Sequence, residues 1–112
     1  MQLIIANAFS LNMLALDDGP EMLEICATTR ELVLEEIEEF GGFRSIVGHA
    51  DTAAVFSAVL RLEVQCNRAT FEMEPDVLLI VGQYKGPRLP EGTTALPEGA
   101  KIEWVRVTMQ GM

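Results

Sequence analysis

The sequence predicts an α/β fold, a single domain in which a mixed sheet of about five strands is flanked by helices and the chain works as a homodimer. Apolar runs of strand length recur from residue 2 onward. Two segments, 30–40 and 50–62, carry helical spacing instead. The 112 residues, 49% hydrophobic and 22% charged, make up one domain's length of globular composition. A domain this small leaves much of its surface exposed, so self-association is expected.

Each element has its own grounds. Residues 2–8 form an apolar run with Ile4 and Ile5 adjacent, which reads as a buried strand ending at Asn7-Ala8-Phe9-Ser10. The Asp17-Asp18-Gly19-Pro20 cluster is a turn, and residues 22–28 follow as a second short strand. Thr29 then caps a helix from Arg30 to Phe40. It places Leu32, Val33, Ile37 and Phe40 on one face and Glu35, Glu36, Glu38 and Glu39 elsewhere, and Gly41-Gly42 stops it.

The second helix, from Ala50 or Asp51 to about Leu62, is rich in small apolar residues, so it is expected to lie against the sheet with nearly all-round burial. Residues 68–73 and 77–84 read as a hairpin across Glu74-Pro75-Asp76, and residues 102–109 as a closing strand. Between Lys85 and Lys101 runs a stretch rich in glycine and proline, with Leu89-Pro90-Glu91-Gly92 echoed by Leu96-Pro97-Glu98-Gly99. These are two similar turns in a loop long enough to cover a ligand.

Charge narrows the partners. The net charge of −9 is local, because residues 1–40 hold nine acids and one arginine while residues 41–112 hold eight acids and seven bases. Long duplex DNA or RNA is not expected as a partner, since its binding needs a basic stripe that displaces counterions. A small phosphorylated ligand held away from the acidic segment remains allowed. The Glu run reads as a solvated helix face. Cys26 and Cys66 lack metal-ligand spacing and are expected to be reduced and buried, and no metal or other cofactor is implied. The first residues lack a basic segment before a long apolar run, so neither a signal peptide nor a membrane span is expected, and the location is cytoplasmic.

The single histidine, His49, stands in Ser45-Ile46-Val47-Gly48-His49-Ala50-Asp51-Thr52, where an apolar stretch turns into a helix N-terminus. Imidazole exchanges protons near neutrality, and free amides at a helix start bind phosphate, so a phosphodiester-handling site is indicated. His49 could equally be a satisfied histidine at a helix start. Asn7, Ser10 and Asn12 leave the first strand together with Phe9 and could simply cap a following turn. Arg68 and Arg88 could be surface arginines packing their stems. Gln83 and Glu91 beside the loop mean little alone.

Taken in order, these motifs say more. The run Ile5-Ala6-Asn7-Ala8-Phe9-Ser10-Leu11-Asn12-Met13-Leu14 is followed by Ser45-Ile46-Val47-Gly48-His49 with Thr52, by Asn67-Arg68, and by Arg88-Leu89 with Glu91-Gly92. This order closely resembles the viral type III anti-CRISPR ring nucleases and their cellular relatives, over nearly the whole chain. The resemblance implies a homodimeric, metal-independent nuclease that opens cyclic tetra-adenylate, the second messenger of type III CRISPR defence, to linear di-adenylates. It implies His49 as general acid and Glu91 as the assisting loop acid. Ser10 and Asn12 would hold the ribose and phosphate near the cut bond, Asn7 and Gln83 would touch the bases or ribose, and Arg68 and Arg88 would hold phosphate charge. Phe9 belongs to the same binding motif.

The chemistry is sound on its own terms. RNA carries its nucleophile as the 2′-hydroxyl, so alignment, charge stabilisation and protonation of the leaving 5′-oxygen suffice. Two readings from other classes remain. One is a sponge that binds the messenger without cutting it, and the other is a protein-interaction inhibitor acting through the acidic helix.

Overall fold

In the computed structural model, which describes residues 1–110, the apolar run at the amino terminus is an interior strand of a five-stranded sheet. This strand, β1 (Gln2–Ala6), is buried from Leu3 onward. After the crossing to the sheet's far edge come β2 (Leu23–Thr28), α1 (Arg30–Phe40), β3 (Arg44–Ser45), α2 (Ala50–Leu60), β4 (Val77–Lys85) and β5 (Lys101–Met109). The spatial order is β2-β5-β4-β1-β3.

β1 runs parallel to both neighbours, with Ile5 opposite Ser45 on one side and Ile80 on the other. A strand paired on both sides and covered on both faces has no polar face to alternate, which is why Leu3-Ile4-Ile5-Ala6 is continuous and apolar. β4 and β5 pair antiparallel over eight residue pairs, and β5 pairs antiparallel with β2. The sheet is therefore mixed, as the sequence predicts.

Both helices pack on one face. There Leu3, Ile5, Leu78, Ile80 and Trp104 meet Val33 and Ile37 of α1 and Ala53, Phe56 and Leu60 of α2. The Phe56 and Trp104 rings lie 5.2 Å apart and tilted, over Gly82. The opposite face, here the outer face, buries Ile4, Ala6, Leu79, Val81 and Val107 under two irregular segments that supply Phe9, Met13, Leu14, Ala69 and Phe71.

α1 forms where local signals specify it. Thr29 Oγ1 accepts the Leu32 N–H at 3.2 Å, and Gly41, at φ +74°, closes the other end as Gly42 N–H donates to Ile37 O at 3.0 Å. Its acidic face is not wholly solvated. Glu36 is half-buried and receives Arg106 Nε at 3.2 Å and Nη2 at 2.9 Å from β5. That pairing holds the Arg106 guanidinium still more firmly charged than usual.

Four expectations need correction. Residues 68–73 are not a strand. Their alternation lays Phe71 and Met73 on the outer face, tied by Met73 N–H to Met13 O at 2.7 Å, so no hairpin crosses Glu74-Pro75-Asp76. The fifth strand is instead the two-residue β3. α2 ends at Leu60 rather than Leu62, because Arg61 turns left-handed at φ +58°, and Ala58 is exposed, so its burial is not all-round. Both cysteines are free, yet Cys26 is only half-buried and Cys66 is exposed.

Among the described residues no helix is long and apolar enough to cross a membrane.

Candidate functional site

Parallel strands bring their following turns to the edge formed by their carboxyl ends, which is where open α/β sheets gather binding groups. Asn7 leaves β1 there, Gly48-His49 follows β3 in the turn to α2, and the 86–100 loop follows β4. Asn7 Oδ1 accepts the Gly48 N–H at 3.4 Å, so the two turns are joined side by side. The Arg68 side chain lies along Gly48, with its Nε 3.7 Å from where a Cβ on that glycine would stand.

His49 occupies the N-cap position of α2 with extended backbone. It gives its carbonyl to Ala53 N–H at 2.9 Å, and its exposed imidazole makes no capping bond. A capping Ser or Asp would spend its side chain on the helix amides, whereas this ring is left available. The N–H groups of Ala50, Asp51 and Thr52 precede the first intrahelical bond, and the helix dipole makes this end favourable to an anion. His49 opens onto a pocket of about 440 Å³ lined also by Asp51, Thr52, Tyr84, Gly86, Arg88 and Leu89.

The loop is fastened over this edge. Tyr84 Oη donates to Pro87 O at 2.6 Å, and Gly86 passes so close to Ala100 that a Cβ there would stand 2.6 Å from the alanine methyl. Farther along, Thr93 N–H closes a turn on Pro90 O at 3.1 Å, and Gly92 N–H donates to Asp51 Oδ1 at 3.1 Å. Glu91 sits in this turn, exposed and outside the His49 pocket.

The remaining expected residues lie elsewhere. Ser10 Oγ accepts the Asn12 N–H at 3.2 Å and caps a short 3-10 turn, Leu11–Met13, so its local structural role is realised. Phe9 and Gln83 line a second groove, of about 380 Å³, on the outer face with Ile25, Ala27, Val81 and Val105. At its rim Lys85 pairs with Glu103 and holds that carboxyl below the usual range. The edge thus unites Asn7, His49, Arg68 and Arg88, while Phe9 and Gln83 form a separate group.

A larger cavity, about 590 Å³, lies between the end of α1, β3 and residues 62–67. Its polar groups serve the fold. Ser45 Oγ donates to Gln65 O at 2.6 Å, and Asn67 Nδ2 donates to Ser45 O at 2.9 Å. Among the described residues no three His, Cys, Asp or Glu side chains are grouped to hold a metal ion.

Comparison with known proteins gives the family and the fold. The family model described as STIV B116-like matches residues 3–104. The chain belongs to the STIV B116-like family. B116 of Sulfolobus turreted icosahedral virus has the same fold, with a TM-score of 0.76 and 26% identity over 96% of this chain and 99% of that one. Among curated proteins none matches in sequence. The resemblance read from the motifs is thus borne out at the level of the family. In this STIV B116-like chain, Asp51 and Tyr84 are the pocket residues that sequence reasoning passes over. An acid in the first turn of a helix that starts at a candidate catalytic histidine was the available signal for Asp51; nothing in the sequence marks Tyr84.

Proposed function

We propose that the protein is a ring nuclease that opens cyclic tetra-adenylate to linear di-adenylates by attack of a ribose 2′-hydroxyl on the adjacent phosphate. The observation that carries the reading is the meeting of an unspent imidazole, two arginines and a helix N-terminus at one sheet edge, within a chain of this family. Arg68, Arg88 and the first amides of α2 suit a phosphodiester, a charge that arginine forks and oriented N–H groups both recognise.

In this mechanism the 2′-oxygen forms a bond to phosphorus while the bond to the 5′-oxygen breaks. His49, as imidazolium, gives its proton to the departing 5′-oxygen, and the 2′-hydroxyl proton passes to solvent. The products carry a 2′,3′-cyclic phosphate and a 5′-hydroxyl. Arg68 and Arg88 stabilise the charge that grows on the phosphoryl oxygens. Asn7, bound to Gly48, keeps the first turn in register with His49. Glu91 assists from the loop tip, and Ser10, Asn12, Phe9 and Gln83 seat ribose and base.

A ring of four equal nucleotides contains a twofold axis, which an isologous homodimer matches. The apolar groove on the outer face supports that assembly. It brings Phe9 and Gln83 together with Ile25, which is 60% exposed, and a second copy of this chain would cover it.

The test is incubation of the purified protein with labelled cyclic tetra-adenylate in EDTA, with ring and linear species resolved. Linear di-adenylate bearing a 2′,3′-cyclic phosphate is expected. An intact ring recovered bound to the protein would make it a sponge, and an unbound intact ring would end the reading.

A further inference from the structure

Asp51 belongs to α2, yet its carboxylate is engaged 41 residues away. Oδ1 accepts the N–H of Gly92 at 3.1 Å, inside the turn that Thr93 closes on Pro90. Gly92, at φ +85°, holds a conformation that frees its N–H to leave the loop. Asp51 is half-buried and lines the His49 pocket beside Arg88, so the contact lies next to the proposed chemistry.

The other end of the loop is fixed independently by the Tyr84–Pro87 hydrogen bond and by the close passage of Gly86 at Ala100. With the base fixed, the position of the tip decides whether Arg88 and Glu91 stay beside α2. Asp51 is the side chain given to that task.

We propose that Asp51 is a positioning residue. As hydrogen-bond acceptor for Gly92 it clamps the 86–100 loop onto the start of α2 before any ligand arrives, and so keeps Arg88 at the His49 pocket and Glu91 beside the start of α2. The kinetic part of this inference rests on the ring-nuclease reading; the structural part does not. A loop held in its binding conformation spares the ligand the cost of ordering it, and apparent affinity falls in proportion to the fraction of molecules left closed. Losing one such hydrogen bond shifts the equilibrium by up to about tenfold.

Two variants separate the acceptor from the charge. Asp51→Asn keeps an oxygen for Gly92, whereas Asp51→Ala removes it. The loop reports on itself through trypsin, because Arg88–Leu89 is a cleavable bond within it. Under native conditions Asp51→Ala is expected to be cut at that bond about tenfold faster than the wild type, with Asp51→Asn close to the wild type and all three proteins melting alike. With cyclic tetra-adenylate, Asp51→Ala is expected to raise KM about tenfold and leave kcat within a few-fold, and Asp51→Asn to restore KM. Equal cleavage at Arg88 in Asp51→Ala and the wild type would overturn the clamp. So would an Asp51→Asn protein that behaves like Asp51→Ala, since the effect would then be one of charge. If the wild type leaves the ring uncut, the functional reading fails while the trypsin comparison still decides the clamp.

Discussion

Arg88 and Arg68 reach the sheet edge from different segments, one on the loop after β4 and one from the irregular segment after α2, and both stand beside the turn that carries His49. On the proposed chemistry Arg88→Ala removes a charge-assisted contact to phosphate, which costs about 1.5–3 kcal/mol and therefore weakens ring binding about ten- to a hundredfold in equilibrium titration. Arg88→Lys recovers only part of this, because a lysine cannot present the paired donors of a guanidinium. Glu36 illustrates a different residue-scale effect. It reads in sequence as one more solvated glutamate, but the fold turns it toward Arg106 of β5. Glu36→Ala leaves that guanidinium part-buried and alone, and after allowance for solvent screening is expected to destabilise by about 1 kcal/mol in urea titration. Glu35→Ala, on the exposed side of the same helix, is expected to change nothing measurable.

Among the elements, those specified by adjacent residues are legible in the sequence. The cap Thr29 and the stop Gly41-Gly42 mark α1, and the unbroken apolar run marks β1. β3 is not legible, because two residues carry no periodicity and the strand exists only through its pairing with Ile4 and Ile5. Residues 68–73 mislead for the opposite reason. Their alternation is real, but it serves burial of Phe71 and Met73 against the outer face without strand pairing. The site divides in the same way. His49 is legible because it sits where a strand turns into a helix, whereas the separation of Phe9 and Gln83 from it depends on which sheet face each residue meets. Gly82 is the element-scale test of packing. A methyl there would stand 2.6 Å from Phe56 Cζ and 2.7 Å from Trp104 Cζ3, so Gly82→Ala is expected to destabilise by about 1–3 kcal/mol in thermal unfolding. An unchanged melting temperature would show that the helix face is looser than this contact implies.

At the scale of the whole molecule, the two sheet faces have different fates. One is sealed by α1 and α2, while the other is covered only by irregular segments and leaves Ile25 exposed beside an apolar groove. A homodimer formed through that face would bury the groove and bring Phe9 and Gln83 of two chains near one axis. Ile25→Glu places a charge in such an interface, and it is expected to convert dimer to monomer in sedimentation equilibrium and to abolish ring cleavage without unfolding the domain. A wild type that is monomeric yet cleaves at full rate would remove the dimer from the mechanism. The acid role of His49 at the sheet edge is the central claim, and the most direct measurement compares the wild type with His49→Ala for both binding and cleavage of cyclic tetra-adenylate in EDTA. Unchanged binding with cleavage slowed by about 100- to 10,000-fold is the predicted result. Cleavage at the wild-type rate by His49→Ala would contradict the account.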